Sequence, residues 1–235
     1  MATAEFTDEG HLEALQDIPI FQDISNDDLL ELIGHSSPQT WPKKTCILDT
    51  KTTLYKFYIV LKGRIKAYSF DHDSGRQAII HLMYPGDFFD VCTLMRGVEH
   101  KLYYETIDDA EVLCIPIMKM RNWIARHPSI INHLLNDIIC KMEKLEANVA
   151  DLSLEDTETR FAKLLINNMN ARKNCVEKIN DLSHDELARL IGTSRAVLNR
   201  QIQVFKAEGI LRISRKNIEI LDYPSLLAKI PTDLS

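Results

Sequence analysis

"SHDELARLIGTSRAVLNR", residues 183–200, carries the punctuation of two short helices that meet at a glycine. Ser183 followed three residues later by Glu186 is a capping box, in which each side chain satisfies a backbone N–H that the first turn leaves open. From that start Leu187, Leu190 and Ile191 fall on one side of a helix and point inward. Gly192 can take the left-handed conformation of a tight turn. Thr193 or Ser194 then caps a second helix. The inward face of that helix is Val197 or Leu198, with Ile202 and Phe205, which leaves Arg195, Asn199, Arg200 and Gln203 facing outward. Beyond Gly209, "ILRISRKNIEIL" reads as two short strands around the basic turn Arg215-Lys216-Asn217, a wing.

The charge of this region is out of keeping with the rest. The 235-residue chain has a formal net charge of -6, yet residues 195–216 hold six basic side chains and one acid, Glu208. Helix-glycine-helix alone is equally an αα-hairpin with a solvated arginine face. Capping box, turn, polar outward face and basic wing together point to double-stranded DNA. Local positive charge meets the phosphate backbone, while the acidic remainder discourages binding elsewhere. Arginine forks onto guanine and asparagine onto adenine in the major groove.

Working outward, residues 131–152 repeat Ile131, Leu135, Ile138, Met142, Leu145, Val149 and Leu152 at spacings of four and three. That narrow heptad stripe predicts a coiled-coil homodimer seam; a helix packed only on its own domain needs a broader apolar face. The polar segment SLEDTET, 153–159, reads as a hinge. Upstream, from Thr45 to Ile117, the runs YKFYIVL, IKAYSF, QAIIHLM, LYYETI and EVLCIPI are separated by turn signals at 62–64, 71–75, 84–87 and 96–100. Several short strands so spaced predict a sandwich or barrel. Residues 10–35 read as helical, with Ser25 a cap before Asp27 and Asp28.

Composition sets the bounds. A chain 45% hydrophobic and 26% charged is that of an ordinary globular protein of one core or two modest domains. No apolar run approaches the ~18 residues of a membrane span. The acidic start MATAEFTDEGHLEALQD is unlike a signal peptide, so a cytoplasmic protein without membrane contact is expected. Cys46, Cys92, Cys114, Cys140 and Cys175 lie far apart, with no C-x-x-C pair. That spacing supports no disulfide framework, zinc knuckle or iron–sulfur cluster, and predicts buried or inert thiols.

The order of these parts resembles the Crp/Fnr family of bacterial transcription regulators. The resemblance rests on "LYKFYIVLKGRIKAYSFDHDSGRQAIIHLMYPGDFF" and, more specifically, on "LIGTSRAVLNRQIQVFKAEGIL". It implies an α+β fold with three parts: a cyclic-nucleotide-binding-like β-roll (a double-stranded β-helix jelly roll) over 1–127, a dimerisation helix and hinge over 128–155, and a winged helix-turn-helix over 156–235. It implies Arg195 and Arg200 as DNA contacts, Ser194 as cap and phosphate contact, and Val197 and Asn199 as base-facing. With Ser183 and Thr193 at the caps and Arg215 and Lys216 on the wing, these form the candidate DNA-binding set. Self, a palindromic operator and RNA polymerase are the partners implied.

The departures from the family are as informative. Members that read TGTGA half-sites place a glutamate after the Ser-Arg pair, and Ala196 stands there, so the operator should differ at that base pair. Cyclic-AMP responders follow Pro-Gly-Asp with a Gly-Glu that grips the ribose, then an Arg-Ser that grips the phosphate. Asp90-Val91 and His100-Lys101 occupy those places, and Leu145-Glu146 replaces the adenine-facing polar pair. Lysine cannot restore an arginine fork, and Asp90 adds like charge, so cyclic AMP is not expected to bind. Asp90, Cys92, His100, Lys101, Leu145 and Glu146 are the candidate effector-pocket residues, the effector itself being unidentified. Two other readings compete. A cupin metalloenzyme fails for want of ligands, since position 83 is Met beside His81, and no phosphate loop or nucleophile elbow suggests another enzyme. The other is a β-roll interaction or ligand-binding protein that no longer reads DNA.

Overall fold

A computed structural model describes residues 8–48, 55–98, 102–170, 172–214 and 217–231. The chain divides into two compact units, Met1–Lys141 and Met142–Ser235, with the division inside one long helix.

The first unit opens with α1 (Asp8–Gln16), a 3-10 turn (Pro19–Phe21) and α2 (Asn26–Gly34). Ser25 caps α2 by accepting from the backbone N–H of Asp28, as the sequence predicts, and Asp27 and Asp28 occupy the favourable first turn. Eight strands follow: β1 (Ser37–Trp41), β2 (Cys46–Leu48), β3 (Lys56–Lys62), β4 (Ile65–Phe70), β5 (Gln77–Met83), β6 (Phe88–Phe89), β7 (Tyr103–Thr106) and β8 (Ala110–Pro116). They form two antiparallel sheets, ordered β1-β8-β3-β6 and β2-β7-β4-β5, the two layers of a β-roll.

Side chains alternate across a strand, and in β3 and β8 both faces are covered. Tyr58, Val60 and Val112 join Ile65, Ala67 and Tyr104 in the core between the sheets. Phe57, Ile59, Leu113 and Ile115 face the other way, onto a core with Leu15, Leu32 and Trp123. Those two strands therefore read as continuous apolar runs. The β3–β4 turn depends on Gly63: at φ +78°, a Cβ there would stand 2.4 Å from the Asp109 carbonyl oxygen.

Several elements go beyond the sequence reading, β1, α3 and α4 among them. β1 (SPQTW) has too little apolar alternation to announce itself. α3 (Val91–Arg96) is short, and the Arg121 guanidinium donates to the carbonyls of Leu94 (2.6 Å) and Thr93 (3.1 Å) in it. α4 (Ile117–Arg126) buries Ile117, Met120, Trp123 and Ile124, a helical spacing that was present in the sequence.

The long helix α5 (Ser129–Leu154) docks on its own unit through Ile130 and Leu134, with Ile131 partly buried. Of the remaining stripe, Leu135, Ile138, Met142, Val149 and Leu152 are exposed and Leu145 is half-buried. Ile139 widens this apolar face.

In the second unit α5 ends at Leu154, and only Glu155 and Asp156 separate it from α6 (Thr157–Asn167), a narrower break than the SLEDTET segment suggests. Asp156 caps α6 by accepting from the Thr159 N–H. Lys163 straddles the break, with Nζ 2.6 Å from Asp151 Oδ1 and 3.1 Å from Glu155 Oε1. β9 (Met169–Asn170), β10 (Cys175–Val176), α7 (His184–Leu190), α8 (Arg195–Ala207), β11 (Leu211–Ser214), β12 (Asn217–Ile220) and α9 (Tyr223–Leu227) complete the unit. Its sheet runs β11-β12-β10-β9. Phe161 of α6 packs on Phe205 of α8, ring centroids 5.3 Å apart. No helix among the described residues is long and apolar enough to cross a membrane.

Candidate nucleic-acid interface

α7 begins at the capping box read from the sequence: Ser183 accepts from the Glu186 N–H, and Glu186 accepts from the Ser183 N–H at 2.9 Å. Leu187, Ala188 and Ile191 are buried, whereas Leu190 is only half-buried. Gly192 takes φ +62°, and the turn closes with the Thr193 N–H donating to the Ala188 carbonyl at 2.9 Å. Ser194, not Thr193, caps α8, accepting from Val197 N–H. Leu198, not Val197, joins Ile202 and Phe205 in the core.

The outward face of α8 is then Arg195, Arg200 and Gln203, all exposed, with Val197 half-buried beside them. Neither Arg195 nor Arg200 has an ion-pair partner among the described residues. Arg189 differs. Its guanidinium lies 2.6 Å from Asp185 one turn earlier, an i,i+4 pair legible in the sequence. Asn199 is also less free than its register suggests: half-buried, its Oδ1 sits 2.6 Å from Nδ1 of His184. His184 was not singled out from the sequence, because nothing there signals a contact across fifteen positions.

The wing is a hairpin of β11 and β12, with Ser214 opposite Asn217. Arg215 and Lys216, the residues between them, lie outside the described residues. Arg212 on β11 pairs with Glu219 on β12 at 3.3 Å.

A model of the Crp-like helix-turn-helix domain matches residues 159–229, and one of the cyclic nucleotide-binding domain matches residues 38–127. The chain belongs to the Crp/Fnr family of transcription regulators. Over 214 residues it is 25% identical to the "CRP-like cAMP-activated global transcriptional regulator" of Mycobacterium tuberculosis, covering 89% of this chain and 95% of that one. FixK2 from Bradyrhizobium japonicum superposes with TM-score 0.72 at 18% identity, over 84% of this chain and 98% of that one. The c-di-GMP responsive regulator CLP of Xanthomonas campestris does so with TM-score 0.71 at 17% identity, over 84% and 100%. Crp/Fnr proteins are transcription regulators and not enzymes, which settles the cupin rival.

In the Crp/Fnr β-roll of this chain, Asp90 is 3% exposed and adopts φ +72°, a left-handed position ahead of α3. Its Oδ1 accepts from the Thr93 hydroxyl at 2.8 Å. Next to it, the Phe89 ring stacks at 4.7 Å on Tyr58 and at 4.7 Å on Tyr104. Burial, reinforced by the thiol of Cys114 and the carboxylate of Asp90, raises the Tyr58 phenol; burial with Asp90 and Cys92 raises that of Tyr104. Cys92 is exposed and not packed, and Cys46 and Cys140 are exposed too; of the five thiols only that of Cys114 is fully buried, which pushes it up to about 12. His100 and Lys101 lie outside the described residues. Glu146 is exposed on α5 and Leu145 half-buried. Among the described residues no three His, Cys, Asp or Glu side chains converge to hold a metal.

Proposed function

We propose that this Crp/Fnr chain acts as a homodimer that binds a palindromic DNA operator through α8 and the wing. The observation that carries the reading is the outward face of α8, where Arg195 and Arg200 stand exposed without ion-pair partners among the described residues. Guanidinium groups so placed, on a helix capped by Ser194, are donors held ready for guanine edges and phosphates. Ser183, Thr193 and Ser194 supply hydroxyls at the helix starts for the backbone, and Arg215 and Lys216 give the wing its charge. The exposed stripe Leu135, Ile138, Met142, Val149 and Leu152 is the face a second copy would cover, each side chain contributing about 1.5–3 kcal/mol on full burial. Selection of bound sequences from a random duplex pool tests the proposal. A two-fold symmetric motif is expected, and enrichment of no sequence would overturn it.

The β-roll, in this reading, does not take cyclic AMP. A buried carboxylate at Asp90 occupies the place where cyclic-AMP responders carry glycine, and an anion brought against it meets like charge in a medium that screens poorly. Phe89, pressed between Tyr58 and Tyr104, further fills the interior. Activation by cyclic AMP belongs to the name of the Mycobacterium relative. Titration calorimetry with millimolar nucleotide should give no binding heat here, and a micromolar Kd would overturn this part of the reading.

A further inference from the structure

α5 is tied to the DNA reader across the polar break at its end, by two routes that share no residue. The first runs through α6. Nζ of Lys163 lies 2.6 Å from Asp151, in the last turn of α5, and 3.1 Å from Glu155, in the break itself. α6 is in turn fixed to α8. Phe161 packs on Phe205, and Nζ of Lys229 lies 2.7 Å from Glu158, at the start of α6, and 2.7 Å from Glu208, just past the end of α8. The second route is direct. Gly192, in the turn between α7 and α8, leaves a notch, and Cδ2 of Leu152 crowds the space where a side chain at that position would begin.

Either tie alone is weak. An ion pair open to solvent contributes little, and one leucine methyl is a small contact. With the covalent link at Glu155 and Asp156, however, they hold the reader at three points, and three points fix an orientation. The same compact unit, Met142–Ser235, contains Met142, Val149 and Leu152 of the apolar stripe as well as α8. Two chains joined along that stripe therefore carry their recognition helices at a set separation.

We infer that Lys163 and Leu152 are positioning residues that clamp the reader to the end of α5 and thereby fix the half-site spacing the dimer accepts. The inference rests on the homodimeric DNA-binding reading above. A reader hung on a free linker swivels and accepts several spacings, whereas a clamped one accepts a single spacing.

Gel shifts with the full chain, on operators that carry two base pairs more or fewer between the selected half-sites, test it. Two base pairs turn one half-site by roughly a fifth of a helical turn, and wild-type affinity should fall on the order of tenfold. Lys163→Met combined with Leu152→Ala should cut that loss to about twofold with the half-site motif unchanged, and each single variant should fall between. Lys163→Arg, whose several donors can still bridge both carboxylates, should behave as the wild type. Sedimentation should show each variant still dimeric, and thermal melts should show each folded. A merely loosened fold would weaken all spacings alike. If the double variant does not fold, Lys163→Met alone decides by the same measurement. Strict spacing kept by the variants, or loose spacing in the wild type, would overturn the inference. So would a monomeric double variant, which would make Leu152 a seam residue and nothing more. Enrichment of no sequence by the wild type would bring down the DNA-binding reading itself, and this inference with it.

Discussion

A Cβ added to Gly192 would stand 2.4 Å from Cδ2 of Leu152, on a backbone with φ +62°. The leucine methyl can swing aside, so the part of the cost that persists is conformational. Gly192→Ala should lose about 1–2 kcal/mol from the left-handed backbone alone. Any excess should vanish in a Leu152→Ala background, a non-additivity measurable by denaturant unfolding of the single and double variants. Arg200 is the opposite kind of residue. It is exposed and makes no hydrogen bond or ion pair among the described residues, so Arg200→Ala should leave the thermal melt unchanged. Operator affinity should fall by about 1–3 kcal/mol per half-site, with relaxed preference at one base pair in the selected motif. Both roles were legible in the sequence, the glycine from its place between two helical patterns and the arginine from its register. The tie between His184 and Asn199 was not. Register says which side of a helix a residue occupies, and only packing says what the neighbouring helix brings to it.

At the scale of elements, α5 divides its apolar residues between two tasks. Leu134 is buried within its own unit, so Leu134→Ala should cost about 2–5 kcal/mol of folding stability without altering self-association. Ile138 is exposed and Leu145 half-buried on the stripe, so lysine at both should leave the fold intact and yield a monomer in sedimentation. Charges facing each other in a dimer seam cost several kcal/mol. The cap of α6 has a pH signature. Accepting the Thr159 N–H holds the Asp156 carboxyl below the ordinary carboxylate range. Its contribution is therefore complete above the unfolded value of about 3.9 and lost as pH falls through the lowered folded value. Asp156→Asn, still a good cap, should flatten that part of the acid unfolding curve, while Asp156→Ala should cost about 1 kcal/mol at neutral pH. The heptad stripe was legible because its spacing is regular. The residues of α5 that dock inward, Ile130 and Leu134, lie just off the stripe, and their role emerges only once α4 and the β-roll give them something to pack against.

For the whole molecule, a two-fold dimer presents two copies of α8 to one face of a duplex, so half-site centres should lie roughly 34–36 Å apart. Operator variants with half a helical turn inserted should bind far more weakly in gel shifts. The net charge of -6 confines attraction to the basic stretch 195–216, and affinity should fall steeply with salt. The sequence by itself determined the order of parts: strands, heptad helix, capping box, glycine turn and basic wing are local patterns, each set by residues within a few positions of one another. Tertiary structure decided what local pattern cannot encode. It chose Ser194 and Leu198 over their neighbours for the cap and the core. It buried Asp90 in a left-handed turn beside Phe89, and it gave the Asn199 carbonyl to His184. The physical reason is the same in each case: burial and hydrogen bonding depend on which groups meet in space, and residues far apart in the chain meet only when it folds.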